Sequence, residues 1–166
     1  MTYDTVVIGL GNPLMGDDGL GLTALEALRD GWEFEPHLEL MDGGTWGMNL
    51  LPFIEAADRV LILDAIKGNA APGTLLDLDR DQIPRFLATK ISPHQIDFRE
   101  VLALAELRGT LPAELVALGV QPEAVEMSAE LTPIVRERVP ALVKKALERL
   151  ELWGYRVTRR ATAPGA

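Results

Sequence analysis

The side chains that could carry chemistry in this chain of 166 residues are carboxylates and histidines. The chain has no cysteine, which excludes a thiol nucleophile, thiolate zinc sites and iron–sulfur clusters. Its two serines, Ser92 and Ser128, lie outside any G-x-S-x-G turn, so a serine-hydrolase mechanism is not indicated. Catalysis must therefore depend on carboxylates, His37 or His94, threonines, lysines or a metal ion.

Three of these side chains lie in loops at the ends of predicted elements. Asp18 lies in a glycine-rich loop, residues 9–21, after the first predicted strand, and Asp64 directly follows the third. Because the carboxyl ends of parallel strands meet at one edge of a sheet, we expect both carboxylates in one crevice. His94 lies in a proline-stiffened loop, residues 90–95. Two carboxylates and one imidazole suit a divalent transition metal with open positions, a hypothesis that no local zinc motif supports.

Each of the three residues also has a structural interpretation. Asp18 stands where the N-cap of the following helix is expected, and Asp64 is of the type that starts turns. A lone histidine such as His94 is more often structural than a ligand, and His37, at the start of a strand, is expected to be exposed. Five glycines in the thirteen residues of the first loop favour a functional role, because such freedom is costly in a loop that only connects.

The first loop also has the general form of a dinucleotide-binding turn, with Asp42 in the place of the acid that binds ribose. The third glycine of G-x-G-x-x-G would fall on Leu14, however, and Asp17 and Asp18 would repel a pyrophosphate at the helix N-terminus. A nucleotide-binding α/β domain is therefore an alternative that these residues disfavour.

A further loop surrounds an aromatic residue with glycine. It is either a tight turn with a core tryptophan or a substrate groove in which an extended peptide docks against glycine-lined backbone. The residues of this predicted groove are Asp42, Gly43, Gly44, Thr45 and Trp46.

The hydrophobic pattern predicts a single domain over residues 1–153. Apolar runs predict five strands, over residues 5–10, 37–41, 59–63, 74–78 and 114–120. Amphipathic stretches predict four helices, over residues 20–30, 48–57, 97–108 and 132–152. Only nine residues separate Asp64 from residue 74, too few for a parallel crossover, so the fourth strand should be antiparallel. The prediction is a three-layer α/β/α sandwich with a mixed, mostly parallel five-stranded sheet.

The C-terminal part of the chain gives two more expectations. Pro140 lies inside the last predicted helix and should kink it. Beyond that helix, residues 154–166 are basic and small, without an apolar period, and are expected to form a flexible tail.

The net charge of −9 opposes binding to nucleic acids and to anionic membrane surfaces, which clustered lysine and arginine mediate. No apolar run approaches the roughly 20 residues needed to span a bilayer. The N-terminal residues lead directly into the first strand and do not resemble a signal peptide. These features predict a cytoplasmic protein whose partner is a small molecule or another protein.

The order of the motifs resembles that of the hydrogenase maturation proteases, which act on the large subunit of nickel–iron hydrogenases. The resemblance covers nearly the whole chain up to about Leu152. The matching motifs are G-x-G-N-P-L-M-G-D-D-G-x-G at 9–21, D-G-G-T at 42–45, L-D-A at 63–65, A-P-G-T at 71–74, K-I-S-P-H-Q at 90–95, L-G-V-Q-P at 118–122 and L-T-P at 131–133.

The resemblance implies a sheet with strand order 2-1-3-5-4 and an antiparallel fourth strand. It also implies that Asp18, Asp64 and His94 are both the metal ligands and the catalytic residues. The first acid is glutamate in some relatives and aspartate here, one methylene shorter, so the metal position could shift. No resident cofactor is implied, because the metal is nickel that the substrate carries.

The implied partner is the large-subunit precursor of a nickel–iron hydrogenase, from which a C-terminal extension is removed after nickel insertion. Water would attack a carbonyl group polarised by the metal, with Asp64 or Asp18 as the base. Motifs such as K-I-S-P-H-Q favour an uptake-type hydrogenase, and the protein is expected to be a monomer. The alternative to cleavage is a nickel-sensing chaperone that binds the precursor and leaves it intact.

Overall fold

A five-stranded sheet forms the centre of the computed structural model, which describes residues 3–44, 47–83 and 98–161. The strands of the described chain are β1 (Tyr3–Leu10), β2 (Trp32–Glu35), β3 (Glu39–Gly44), β4 (Ala57–Ala65), β5 (Leu75–Leu78), β6 (Glu114–Val120) and β7 (Arg156–Arg159). The central sheet has the order β3-β1-β4-β6-β5. Its pairs are parallel except β5 with β6. The predicted order and the antiparallel strand after the short connection are both confirmed.

Helices cover both faces of this sheet. They are α1 (Leu20–Gly31), α2 (Leu51–Ala56), α3 (Phe98–Leu107), α4 (Pro133–Arg136) and α5 (Val139–Leu152), and short 3-10 turns span Gly16–Gly19 and Gly47–Leu50. Side chains alternate along a strand, so Ile8 of β1 packs with α2 and α3, and Val7 packs with α1 and α5. This arrangement is the predicted three-layer α/β/α sandwich. None of the helices in the described ranges is both long and apolar enough to cross a bilayer.

The predicted closing helix is two helices, so the prediction of one kinked helix over residues 132–152 is wrong. α4 ends at Arg136, and α5 begins at Val139 with Pro140 in its first turn. Proline has no amide proton to donate to the carbonyl four residues earlier. It is tolerated in the first turn, where that bond is missing in any helix. The chain therefore breaks just before Pro140 and starts a new helix.

The prediction of a flexible tail from residue 154 is wrong for residues 155–159. Tyr155 is buried, and β7 pairs antiparallel with β2, a strand that the hydrophobic pattern did not predict. Each strand is too short and too polar to be predicted from its own residues. A two-stranded ribbon is stable only when its strands pair and pack against the rest of the fold. Trp32 and Val157 of this ribbon pack against the core on the α1 and α5 side.

Glu55 at the end of α2 connects the helix to the turn after α3. Its carboxylate accepts hydrogen bonds from Thr110 Oγ1 at 2.5 Å and from Arg108 Nε at 2.7 Å. The hydrogen bond from Thr110, and then that from Arg108, hold the pKa of Glu55 below the ordinary value of a glutamate. This contact lies at the edge of the sheet where the parallel strands begin.

Candidate active site

The parallel register brings the carboxyl ends of three strands together. Gly9 of β1 lies opposite Asp42 of β3 on one side and opposite Leu63 of β4 on the other. The chain leaves β1 toward β3 and later returns to β4 on the opposite side of β1. Such a reversal opens a crevice beyond the strand ends, where α/β proteins bind their ligands. We call this side of the sheet the carboxyl edge.

Asp64 is the next residue after Leu63 in β4, and it is completely buried. It lies opposite Gly119 of β6, where a β-carbon would clash with the carbonyl oxygen of Asp64. Glycine at position 119 therefore allows the two strands to approach closely beside this carboxylate. Burying a carboxylate is costly, and such costs are commonly found at functional sites, which marks Asp64 as a functional candidate.

Asp18 lies in the 3-10 turn that precedes α1 and is 9% exposed. Its Oδ2 accepts a hydrogen bond from the backbone amide of Asn12 at 2.8 Å. The N-cap of α1 is Gly19, which has no side chain, so the expectation that Asp18 caps the helix is wrong. The loop folds back on itself at Gly11, whose φ of 113° suits glycine and whose β-carbon would clash with the carbonyl of Asp18.

Close packing of α1 on the sheet brings the Asp18 turn to β4, the strand that carries Asp64. A β-carbon on Gly21, in the first turn of α1, would clash with the carbonyl oxygens of Leu63 and Leu10. The helix thus starts directly above the junction of β1 and β4, and the turn before it contacts β4. This packing supports the prediction that Asp18 and Asp64 lie at one crevice. It also leaves Asp18 where the loop of a dinucleotide-binding domain would accommodate a pyrophosphate.

Asp17 has a different role from its neighbour Asp18. It is completely buried, and its carboxylate accepts from the backbone amides of Glu123, Ala124 and Thr132 at 2.8 to 3.0 Å. The Thr132 hydroxyl also donates to it, at 2.9 Å. Asp17 therefore anchors the segment after β6 to the turn that carries Asp18. The L-T-P motif at 131–133 contains one of these donors, but sequence alone does not pair it with Asp17.

The predicted groove is described in part. Asp42 is exposed on β3, and Gly43 is buried against β1, where a β-carbon would lie 2.6 Å from Cγ2 of Ile8. Gly44 has a φ of 35°. Thr45 and Trp46 lie outside the described residues, so the groove stays a prediction.

The predicted histidine ligand, His94, also lies outside the described residues. Within residues 3–44, 47–83 and 98–161, no group of three histidine, aspartate or glutamate side chains could hold a metal. His37 precedes β3 at the opposite edge, its side chain is 88% exposed, and Nε2 is 3.6 Å from Oε2 of Glu39. The expectation that His37 is exposed is confirmed, and its position separates it from Asp18 and Asp64.

The fold and the carboxyl edge define the class of protein. It is a three-layer α/β domain with buried carboxylates at the carboxyl ends of the strands, where the strand order reverses. The family-level sequence model HycI, hydrogenase maturation protease, matches residues 22–149. The hydrogenase expression/formation protein HupD of Thiocapsa roseopersicina is 40% identical over 159 residues, which cover 95% of this chain and 72% of HupD. The hydrogenase 2 maturation protease of Escherichia coli K12 is 37% identical over 146 residues, 87% of each chain.

A solved structure gives the same result. The hydrogenase maturating endopeptidase HybD from E. coli superimposes with a TM-score of 0.89 at 34% identity, covering 95% of this chain and 98% of HybD. The chain belongs to the hydrogenase maturation protease family, as its motifs predict, and it is a hydrolase of the protease class.

Proposed function

We propose that this protein is the endopeptidase that removes the C-terminal extension from a nickel–iron hydrogenase large-subunit precursor after nickel insertion. Asp18, Asp64 and His94 recognise the nickel that the substrate carries. The observation that carries the proposal is the pair of buried carboxylates, Asp18 and Asp64, at the edge where β1 and β4 end. Two carboxylates and an imidazole are suitable ligands for a divalent transition metal.

The carboxylates would act in an environment from which water is largely excluded. Asp64 is completely buried and Asp18 nearly so, and electrostatic interactions are stronger in such surroundings than in bulk water. With the substrate's nickel polarising the scissile carbonyl, Asp64 or Asp18 accepts a proton from the attacking water. Because the attacking group is water, the protein needs no cysteine or serine nucleophile.

The partner is therefore the precursor itself, and we propose an uptake-type hydrogenase as its source. We further propose that the protein acts as a monomer in the cytoplasm, where the precursor is synthesised. The net charge of −9 supports a monomer, because like charges oppose self-association. No nucleic acid or membrane partner is part of this proposal.

Mass measurement of a nickel-loaded uptake-type precursor tests the proposal. The unchanged protein should shorten the precursor only when nickel is present. Asp18→Asn, Asp64→Asn and His94→Gln should each keep the fold and slow the loss of the extension by about 100-fold or more, as expected for groups that stabilise the transition state. Asp58→Asn is the matched control, because exposed Asp58 lies on β4 with Asp64 but at the opposite edge.

Undiminished processing by all three variants would overturn the assignment of the site. If the precursor binds in a nickel-dependent way but keeps its mass, the protein is instead the nickel-sensing chaperone.

A further inference from the structure

Two large apolar side chains lie exposed at the rim of the carboxyl edge. Leu14 is 64% exposed and Met127 is 89% exposed. Their segments run side by side, because Met15 pairs in parallel with Ser128 and the amide of Ser128 donates to the carbonyl of Leu14 at 3.0 Å. Leu14 and Met127 each directly precede one of the two bridged residues, so they project from neighbouring positions of the two segments. We call this pair of exposed side chains the apolar ridge.

The backbone beneath the apolar ridge is held in place. The amide of Gly16 donates to the carbonyl of Ser128 at 2.8 Å, and that of Asp17 to the carbonyl of Ala124 at 3.0 Å. The buried carboxylate of Asp17 adds its bonds to the same segment, including those from Thr132. Single exposed apolar side chains are ordinary, whereas contiguous exposed apolar surface marks interaction sites.

We propose that the apolar ridge is the surface on which the hydrogenase precursor docks next to its cleavage point, an inference that rests on the proposed function. Leu14 and Asp18 belong to the same loop, four residues apart, and Asp17 joins that loop to the segment of Met127. A protein substrate that brings its metal to Asp18 and Asp64 must therefore cover this rim.

The charge around the apolar ridge specifies the chemistry of the docking segment. Glu123, Glu126 and Glu130 are exposed along the same segment as Met127, and the chain as a whole carries a charge of −9. Complementary potentials favour a partner segment with apolar side chains flanked by lysine or arginine. A second copy of this chain would bring glutamates against glutamates, so the precursor is the occupant that the charges favour.

The double variant Leu14→Ser/Met127→Ser tests the apolar contact. Its KM for the nickel-loaded uptake-type precursor should rise about tenfold, as expected for loss of apolar anchors in an interface, while kcat stays near that of the unchanged protein. The matched control is Leu107→Ser/Leu152→Ser. These residues are 85% and 74% exposed and end α3 and α5, at the opposite edge of the sheet.

The outcomes separate this inference from the proposed function. Precursor binding measured by calorimetry reports on the apolar ridge even if no cleavage occurs. Binding of the precursor without cleavage contradicts the proposed function. Tenfold weaker binding by the double variant supports docking at the apolar ridge in either case. Unchanged KM and unchanged affinity in the double variant would overturn it. If the double variant alone sediments differently from the unchanged protein and keeps its affinity for the precursor, the apolar ridge is a self-association surface. That result would also overturn the inference.

Salt dependence tests the role of charge. Precursor affinity should fall with added salt, because screening weakens exposed charges. Glu126→Gln/Glu130→Gln should reduce that dependence, and the control Glu148→Gln/Glu151→Gln, on exposed positions of α5, should not. Equal salt dependence in both variants would contradict a basic docking segment.

Discussion

The carboxyl edge and the opposite edge of the sheet differ in whether they bury charged side chains. At the carboxyl edge, Asp17 and Asp64 are completely buried, and Asp17 is bonded to backbone amides. At the opposite edge, charged side chains remain partly in solvent and pair with one another, as in Arg160 with Glu33 at 3.0 Å and Arg59 with Glu114 at 3.1 Å. The carboxyl edge also has exposed charges, such as Glu123 and Glu126. Its buried carboxylates are therefore what distinguish it from the opposite edge within the described residues.

This difference indicates which charges serve stability and which serve function. Exposed ion pairs contribute about 0 to 1 kcal/mol each, and a protein can lose one with little effect. Burying a carboxylate costs several kcal/mol unless hydrogen bonds replace its water. Asp17 receives such bonds from a distant segment and organises the loop. Asp18, which accepts a hydrogen bond from Asn12 in its own loop, and Asp64 lie at the crevice, where the proposed metal contact would use them.

The largest expected effect on stability is at Asp17. Asp17→Ala would leave three partly buried backbone amides and a hydroxyl without their buried acceptor, so the free energy of unfolding should fall by about 3 kcal/mol. Urea unfolding measures this loss. Asp58→Ala at the opposite edge should change it by less than about 0.5 kcal/mol, and equal losses in the two variants would remove the contrast between the edges.

A smaller effect is expected where α1 meets the strands. In Gly21→Ala the new methyl group would clash with the carbonyls of Leu63 and Leu10, and we expect a loss of about 2 kcal/mol. Gly31→Ala, at the other end of the same helix, has no heavy atom within 4 Å of the new carbon. It should be neutral or stabilising by up to about 1 kcal/mol. Thermal unfolding of the pair checks both signs, and similar melting temperatures would argue against close packing at Gly21.

The smallest effect concerns the pH dependence at the opposite edge. The pKa of Glu55 is lowered by hydrogen bonds from Thr110 and Arg108, so the unfolded state binds a proton more readily than the folded state. The stabilisation is fully present above the ordinary glutamate pKa of about 4.3 and is lost as pH falls through the lowered value.

Urea midpoints measured between pH 7 and pH 3 test this sign. Glu55→Gln and Thr110→Val should both flatten the fall of stability in the acid range. If the urea midpoints of both variants fall as steeply with pH as that of the unchanged protein, the contact of Glu55 with Thr110 and Arg108 does not contribute to the pH dependence of stability.

Much of the fold could be predicted because it depends on local pattern. The predicted strand over residues 114–120 has the observed bounds of β6, and a connection of nine residues is enough to make β5 antiparallel. The pairing of β2 with β7 could not be predicted, since the two strands lie more than 120 residues apart and neither has a strong apolar period. The sequence around Pro140 predicts a kinked helix, whereas the chain forms two separate helices. The sequence locates the proline, but it does not decide whether the helix kinks or ends there.

The candidate site also has features that the sequence predicts and features that only the tertiary structure shows. Residue types and their order along the chain single out Asp18, Asp64 and His94, and they identify the family, since the motifs lie in loops that follow predictable strands. Only the tertiary structure separates Asp17 from its neighbour Asp18, because the backbone amides that donate hydrogen bonds to Asp17 lie 106 to 115 residues away. Two adjacent aspartates are chemically equal in the sequence, and burial with hydrogen-bond donors makes one an anchor, while the position of the other beside β4 makes it a candidate for catalysis.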